Sequence, residues 1–178
     1  HVMNETEANP LMAYRRMNVE VTRRLANECA VLGIKRFVFM SSIKVNGEHT
    51  TGAPFTADTP PAPEDPYGQT KFDAESELMR ATEGTSTKTC IVRAPLVYGP
   101  NVKGNFLRLM GAVADGKILP LGMISNRRSL IYVGNLCAAL QACLEHPHAA
   151  GKTYLVRDGE HLSTTGLIRK IADVLGVR

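Results

Sequence analysis

Apolar residues at Val19, Leu25, Ala26, Cys29 and Leu32 recur at helical spacing, and Gly33 stands where a helix would stop. The pattern predicts a helix over residues 13–32. Arg36-Phe37-Val38-Phe39-Met40 is a short apolar run bounded by Gly33 and by Ser41-Ser42. Its length and its aromatic and β-branched content predict a buried parallel strand that ends before the serines. Residues 46–66 are rich in Gly, Pro, Thr and Asp and predict a long loop, of a length that in compact domains marks functional or mobile segments. A second helix is predicted from Pro66 to Thr82, with Asp65 as N-cap, proline in the first turn and Gly84 beyond the end. Thr89-Cys90-Ile91-Val92-Arg93 reads as the next strand, followed by a turn-rich P-L-V-Y-G-P-N. Helices are predicted at 104–114, 134–145 and 164–175, the last between Ser163 or Thr164 and Gly176, and short strands at 129–133 and 153–156. Strand-then-helix alternation implies an α/β fold with a mainly parallel sheet.

Composition narrows the function classes. In 178 residues, 21 Lys and Arg against 17 Asp and Glu leave a formal net charge of +4, with no run of five cations. That balance does not point to nucleic acid, although an anionic small substrate is compatible with it. No apolar stretch approaches the 18 residues of a membrane span. The opening H-V-M-N-E-T-E lacks the basic and apolar regions of a signal peptide. Cys29, Cys90, Cys137 and Cys143 are widely spaced within apolar patterns, so all four are expected to be inert core thiols in a reducing, cytoplasmic setting. No close Cys or His pair suggests a metal, and His146 and His148 flank Pro147 as a loop would. No glycine-rich dinucleotide turn and no Walker lysine motif occur among the 15 glycines.

The chemistry concentrates at Tyr67-Gly68-Gln69-Thr70-Lys71. On a helix, Tyr67 and Lys71 share a face. An ammonium near a phenol favours the phenolate, so Lys71 is expected to lower the Tyr67 pKa and make it an acid/base group. Upstream, Ser41-Ser42 closes a buried strand, where open parallel sheets bind ligands. A hydroxyl there can hold a reacting oxygen beside Tyr67. R-A-P-L-V-Y-G-P follows another strand end, so three such segments converge on one edge.

Five segments, in order, carry a resemblance: A-Y-R-R-M-N-V-E-V-T at 13–22, F-V-F-M-S-S-I-K-V-N-G at 37–47, Y-G-Q-T-K at 67–71, V-R-A-P-L-V-Y-G-P at 92–100 and R-R-S-L-I-Y-V-G-N-L at 127–136. Together they resemble the extended short-chain dehydrogenase/reductase family, the NAD-dependent sugar-nucleotide epimerases, dehydratases and 4-keto reductases. The resemblance implies a catalytic triad of Ser42, Tyr67 and Lys71, with hydride exchange at C4 of a nucleotide sugar, a UDP-sugar. It implies NAD or NADP as cofactor, contacted by Asn18, Ser41, Tyr67, Lys71 and Pro95. It places Lys44, Asn105 and Arg128 on the substrate, the last two at its diphosphate, for which the arginine fork is chemically apt. No metal is implied.

Departures from the family pattern carry information too. V-Y-G after the serine pair is here Val45-Asn46-Gly47, and Lys44 stands where many epimerases have Ser or Thr. The dehydratases' extra acid and base are replaced by Ile43-Lys44, which argues against dehydration. Residues 127–136 resemble the branch acting on UDP-N-acetyl sugars and lean the reading towards 4-keto reduction over 4-epimerisation. A non-catalytic, dinucleotide-sensing or partner-binding member is the rival, disfavoured because both Tyr67 and Lys71 are present.

The implied architecture is the C-terminal part of a Rossmann-like, doubly wound parallel sheet plus part of a small substrate-binding domain. Residues 1–100 would be a partial dinucleotide-binding domain. Residues 101–178 would mainly bind the nucleotide sugar, with 129–145 returning to the Rossmann part. The resemblance has the chain begin, at His1-Val2, where the family's fourth strand ends. The full-length parent is expected to be a cytoplasmic homodimer without nucleic-acid or membrane partners, and these residues alone are expected to be inactive.

Overall fold

The computed structural model of the chain describes residues 10–117 and 126–177; His1 and Val2 lie outside them. These residues form two units, one of residues up to Pro95 with Ala138–Val156, the other of Leu96–Cys137 with residues from Arg157 onward.

In the first unit, α1 (Pro10–Tyr14) runs through a π-helical segment (Arg15–Glu20) into α2 (Val21–Val31). The sequence pattern predicts one continuous helix here. The interruption is real, because the Val21 N–H reaches back five residues to the Arg16 carbonyl. Gly33, at a φ of 66°, ends the helix in the left-handed conformation that glycine tolerates best. β1 (Arg36–Ser42) runs through both serines rather than stopping before them, because Ser41 and Ser42 continue the ladder with β2 (Lys88–Ala94). β2 lies between β1 and β5 (Lys152–Leu155), and both pairings are parallel. α3 (Pro66–Thr82) starts as its sequence signals imply: Asp65 accepts a 2.6 Å hydrogen bond from the Gly68 N–H, and Pro66 follows it.

Alternation along β1 decides which helices cover which face. Phe37 and Phe39 pack with Val19, Ala26, Ala74 and Leu78 from the π-helical segment, α2 and α3. Arg36, on the other face, donates at 2.8 Å to the Cys143 carbonyl in the last turn of α5 (Val133–Glu145). A cation on the last carbonyls of a helix satisfies groups that the helix itself leaves unpaired. Helices on both faces of a parallel sheet make the doubly wound α/β arrangement.

The second unit has strands that the turn-rich sequence hid. β3 (Leu96–Tyr98) pairs in parallel with β4 (Arg128–Tyr132), and β6 (His161–Leu162) pairs with β4 antiparallel. This sheet is therefore mixed. α4 (Gly104–Ala114) and α6 (Thr164–Leu175) close its core around Phe106, Val113, Leu130, Leu167 and Ile171. Asp158 accepts from the Tyr98 hydroxyl, the Tyr132 N–H and the Asn135 side chain at 2.8–3.0 Å, joining β3, β4 and the start of α5.

The cysteines differ from expectation. Cys90 and Cys143 are buried, and their thiols hydrogen-bond each other. Burial, with help from Cys143, pushes the Cys90 thiol up to about 12. Cys29 is half-buried and Cys137 is exposed, because a helix with a broad apolar stripe places some apolar positions at its edge. Among the described residues no helix is long and apolar enough to cross a membrane.

Leu78 is fully buried at the centre of the α2/α3/β1 cluster. Leu78→Ala is expected to cost about 2–5 kcal/mol, combining lost transfer energy and a cavity. A lower midpoint in urea denaturation with an unchanged slope is the check.

Candidate active site

The parallel register sets Ser42 level with Ala94. Pro95 is thus the next residue beyond the same carboxyl edge of the sheet. From Ser42 the chain turns tightly through a 3₁₀ segment (Ile43–Val45), and the Ser42 side chain accepts from the Lys44 N–H at 3.3 Å. This turn rests on the first turn of α3. A Cβ on Gly68 would come within 2.6 Å of the Lys44 carbonyl, so only glycine permits the approach. Tyr67, beside that glycine, is hydrogen-bonded to Ser42. Its ring meets Tyr14 edge-on, with centroids 5.9 Å apart.

Lys71 lies one turn further along α3 and is buried. Its ammonium donates to the Met40 carbonyl at 3.0 Å and sits 4.8 Å from the centre of the Phe39 ring. Asn18, carried by the π-helical segment, donates to Thr70 at 3.1 Å and is buried. A π segment re-aims the side chains that follow it, and such segments recur at functional sites. Ser42, Tyr67, Lys71 and Asn18 are therefore brought together on α3 and the elements that touch it. The Ser41 hydroxyl, at the same strand end, is buried with no hydrogen-bond partner. An unpaired buried hydroxyl costs about 1–3 kcal/mol. A ligand group would recover that cost, so the site fits a polar ligand such as a ribose.

Burial raises the Tyr67 phenol far above its ordinary value, the Asp65 and Tyr14 charges add to the shift, and the Ser42 hydrogen bond only partly opposes it. This reverses the expectation that Lys71 lowers it. The ammonium is turned to Met40 and Phe39, and burial takes charge from Lys71 itself. Lys71 is lowered to about 8 by burial, with the Glu75 carboxylate pulling the other way. Without a ligand, Tyr67 is thus a neutral phenol at pH 7.

Lys44 is engaged by carboxylates, Asp65 at 2.5 Å and Glu48 at 2.6 Å. Burial works against its charge, but these two partners prevail and raise its pKa. Asn105 and Arg128 belong to the second unit. Asn105, in the first turn of α4, accepts from Arg108, while Arg128 is exposed at the start of β4. Among the described residues no cluster of His, Cys, Asp or Glu could hold a metal.

A buried polar network behind Tyr67 was not read from the sequence. Arg93, on β2, donates to both Glu75 oxygens at 3.0 and 2.7 Å and to the Asn46 side chain at 3.1 Å. Asn46 in turn donates to the Thr59 carbonyl at 3.0 Å. The available signal was an arginine inside the apolar run T-C-I-V-R, with a glutamate spaced four residues beyond Lys71.

An open parallel sheet with a serine, tyrosine and lysine at its carboxyl edge is the arrangement of a short-chain dehydrogenase/reductase. The chain belongs to the NAD dependent epimerase/dehydratase family, whose sequence profile matches residues 3–156. It is 45% identical, over 98% of its own residues, to a UDP-glucose 4-epimerase of Vibrio cholerae, covering 54% of that protein. It is 26% identical to an N-acetyl-alpha-D-glucosaminyl-diphospho-ditrans,octacis-undecaprenol 4-epimerase of Escherichia coli O157:H7, covering 95% of this chain and 51% of that protein. The chain thus spans about half the length of these relatives. Among solved structures, MoeE5 in complex with UDP-glucose and NAD superimposes with a TM-score of 0.79 at 26% identity, over 92% of this chain and 56% of that one. The fold also matches UDP-glucuronic acid 4-epimerase from Bacillus cereus, with a TM-score of 0.86 at 24% identity, over 97% and 57% of the two chains.

The buried Lys71 makes stability depend on pH. Unfolded, it binds its proton up to about 10.5; folded, only up to about 8. Between those values the unfolded chain holds more protons, so the Lys71 contribution improves as pH rises through that window. Below it, the buried charge costs on the order of 3 kcal/mol. Lys71→Met is therefore expected to stabilise the fold at pH 7 by about 2–3 kcal/mol, with most of the gain lost by pH 10. Urea denaturation at the two pH values measures it.

Proposed function

We propose that these residues form the catalytic part of an NAD-dependent enzyme acting at C4 of a UDP-sugar, and that its reaction is 4-epimerisation. The Ser42–Tyr67 hydrogen bond, with Lys71 one turn along α3, carries the reading. The named activity of the Vibrio cholerae relative supports epimerisation over the 4-keto reduction to which residues 127–136 lean.

When bound, the nicotinamide supplies the hydride acceptor and donor at C4. The protein's own residues manage the proton. Ser42 holds the sugar C4 oxygen in the position where it now holds the Tyr67 hydroxyl. Once ligand binding lowers its pKa and its own proton has passed to solvent, the Tyr67 phenolate takes the hydroxyl proton as the 4-keto sugar forms and returns it to the reduced oxygen. Its raised pKa keeps its own proton in place until a ligand changes the local charge. Lys71, near 8, keeps much of its positive charge at pH 7, and that charge would stabilise the phenolate once ligand binding turns the ammonium from the Met40 carbonyl towards Tyr67. Asn18, Ser41, Tyr67, Lys71 and Pro95 would hold the nicotinamide ribose end, with the unpartnered Ser41 hydroxyl as its clearest vacant donor. Lys44 is committed to Asp65 and Glu48, which leaves Asn105 and Arg128 as the proposed diphosphate ligands. The first unit is the proposed dinucleotide-binding part and the second the nucleotide-sugar part. A homodimer is proposed for the whole protein, supported by the exposed Val21 and Leu25 along α2.

The test uses the whole protein that contains these residues, with UDP-glucose, UDP-N-acetylglucosamine and a UDP-4-keto-6-deoxy sugar. Interconversion of the first two with their C4 epimers is expected. Tyr67→Phe should lower kcat about 10²- to 10⁴-fold, the usual contribution of acid–base catalysis. Arg128→Ala should weaken UDP-sugar binding about 10- to 100-fold, as loss of charged hydrogen bonds does. Reduction of the 4-keto sugar without epimerisation would replace epimerase by reductase, and an unchanged rate in Tyr67→Phe would overturn the catalytic assignment.

A further inference from the structure

The catalytic groups stand on two pieces of chain that are not continuous. Ser42 opens the 3₁₀ turn, whereas Tyr67 and Lys71 belong to α3, and the loop between, residues 46–65, is 20 residues long. Hydride chemistry tolerates little error in such a gap, since a misplacement of 1 Å can cost about 10²-fold in rate. Two of the ties across it are at the entrance, the Gly68 contact with the Lys44 carbonyl and the half-exposed Lys44–Asp65 pair. Lys71 ties α3 to the Met40 carbonyl two residues before Ser42, and a further tie, to the turn that follows Ser42, is also interior. Glu75 is 1% exposed, Arg93 6% and Asn46 2%, so this tie is made in a low-dielectric setting that screens it little. Asn46 follows the 3₁₀ turn directly, its N–H bonded to the Ile43 carbonyl at 2.8 Å. Glu75 continues the Tyr67, Lys71 stripe by one more turn of α3.

We propose that Arg93 is the positioning residue of this site: from β2 its guanidinium grips Glu75 on α3 and Asn46 beside the Ser42 turn, and so sets the distance from Ser42 to Tyr67. The planar fork is what the task requires. Nε and Nη2 take the two carboxylate oxygens, leaving Nη1 directed at Asn46. A lysine carries the same charge but presents it at one point and cannot hold both partners at fixed angles. Arg93 acts through Ser42 and Tyr67 and touches no reacting atom. The arginine's third contact is made by an amide, which passes the constraint on to the Thr59 carbonyl in the long loop.

The proposal rests on the catalytic reading of Ser42 and Tyr67, and the experiment separates the two. In the whole protein, Arg93→Lys and Asn46→Ala are compared with wild type for kcat, KM and crystal structure, with circular dichroism to confirm folding. Arg93→Lys is expected to lower kcat about 10- to 100-fold and Asn46→Ala about 10-fold, with the UDP-sugar KM within about twofold. The double variant should lose no more than Arg93→Lys alone, because the Asn46 effect passes through the guanidinium. The variant structures should show the Ser42–Tyr67 hydrogen bond opened. Folded variants that keep wild-type kcat, or that lose KM and kcat together with the hydrogen bond intact, overturn it. Should wild type act on no UDP-sugar, the functional reading fails by itself. The variant structures then decide the positioning role, an opened Ser42–Tyr67 bond supporting it and a closed one overturning it. If Arg93→Lys does not fold, Asn46→Ala, which leaves the Arg93–Glu75 pair in place, gives the same decision.

Discussion

Helix α3 buries Lys71 and Glu75 along the stripe that begins at the half-buried Tyr67, and a buried ion costs several kcal/mol unless something nearby answers its charge. Much of the first unit can be understood as that answer. The Met40 carbonyl and the Phe39 ring receive the Lys71 ammonium, and Arg93 receives Glu75 in a two-pronged pair. Each compensating group comes from a strand of the same parallel sheet, so the position of α3 on the sheet is specified by charge as well as by the apolar contacts of Ala74 and Leu78. An apolar helix could slide by a turn at modest cost. This one could not without leaving a charge unpaired.

The sheet supplies the other half of the geometry. Because β1 and β2 run parallel and in register, the end of one, at Ser42, is level with the end of the other, at Ala94. Groups proposed to meet a ligand are thereby delivered to one edge without any long-range search by the loops. The loop from Gly47 to Glu64 is nonetheless fastened, by Asn46 to Thr59, by Ala62 to Val45 and by the Glu48 N–H to Glu64. It is a strap with fixed buckles rather than free chain.

Much of this was legible in the residues. Asp65, Pro66 and Gly84 bracket α3 because capping is local chemistry, and the i, i+4 spacing alone puts Lys71 above Tyr67. What escaped was whatever depends on partners distant in sequence. The π-helical segment at Arg15–Glu20 has no composition of its own, and Asn18 is aimed by backbone bonds no periodicity reveals. β3 and β6 are three- and two-residue strands made by pairing with β4 alone. The direction of the Tyr67 shift went the other way for a similar reason: spacing shows that Lys71 is near, but not that burial outweighs it or that its ammonium is occupied elsewhere. Arg93 and Glu75 are 18 residues apart, and only the fold makes them neighbours.

The four thiols form a graded series, from exposed Cys137 through half-buried Cys29 to the buried, mutually bonded pair Cys90 and Cys143, of which Cys90 has its pKa raised by burial. Alkylating reagents need access and react with the thiolate, so reactivity falls along that series with access, and at Cys90 with ionisation as well. Cys90 lies between two strands in the middle of the first sheet, and Cys143 on the helix that covers it. The molecule therefore carries its own opening gauge. A label on Cys137 reports the surface of the native state, while a label on Cys90 can arrive only after the sheet has parted from its helix, and the ratio of the two measures how often that happens.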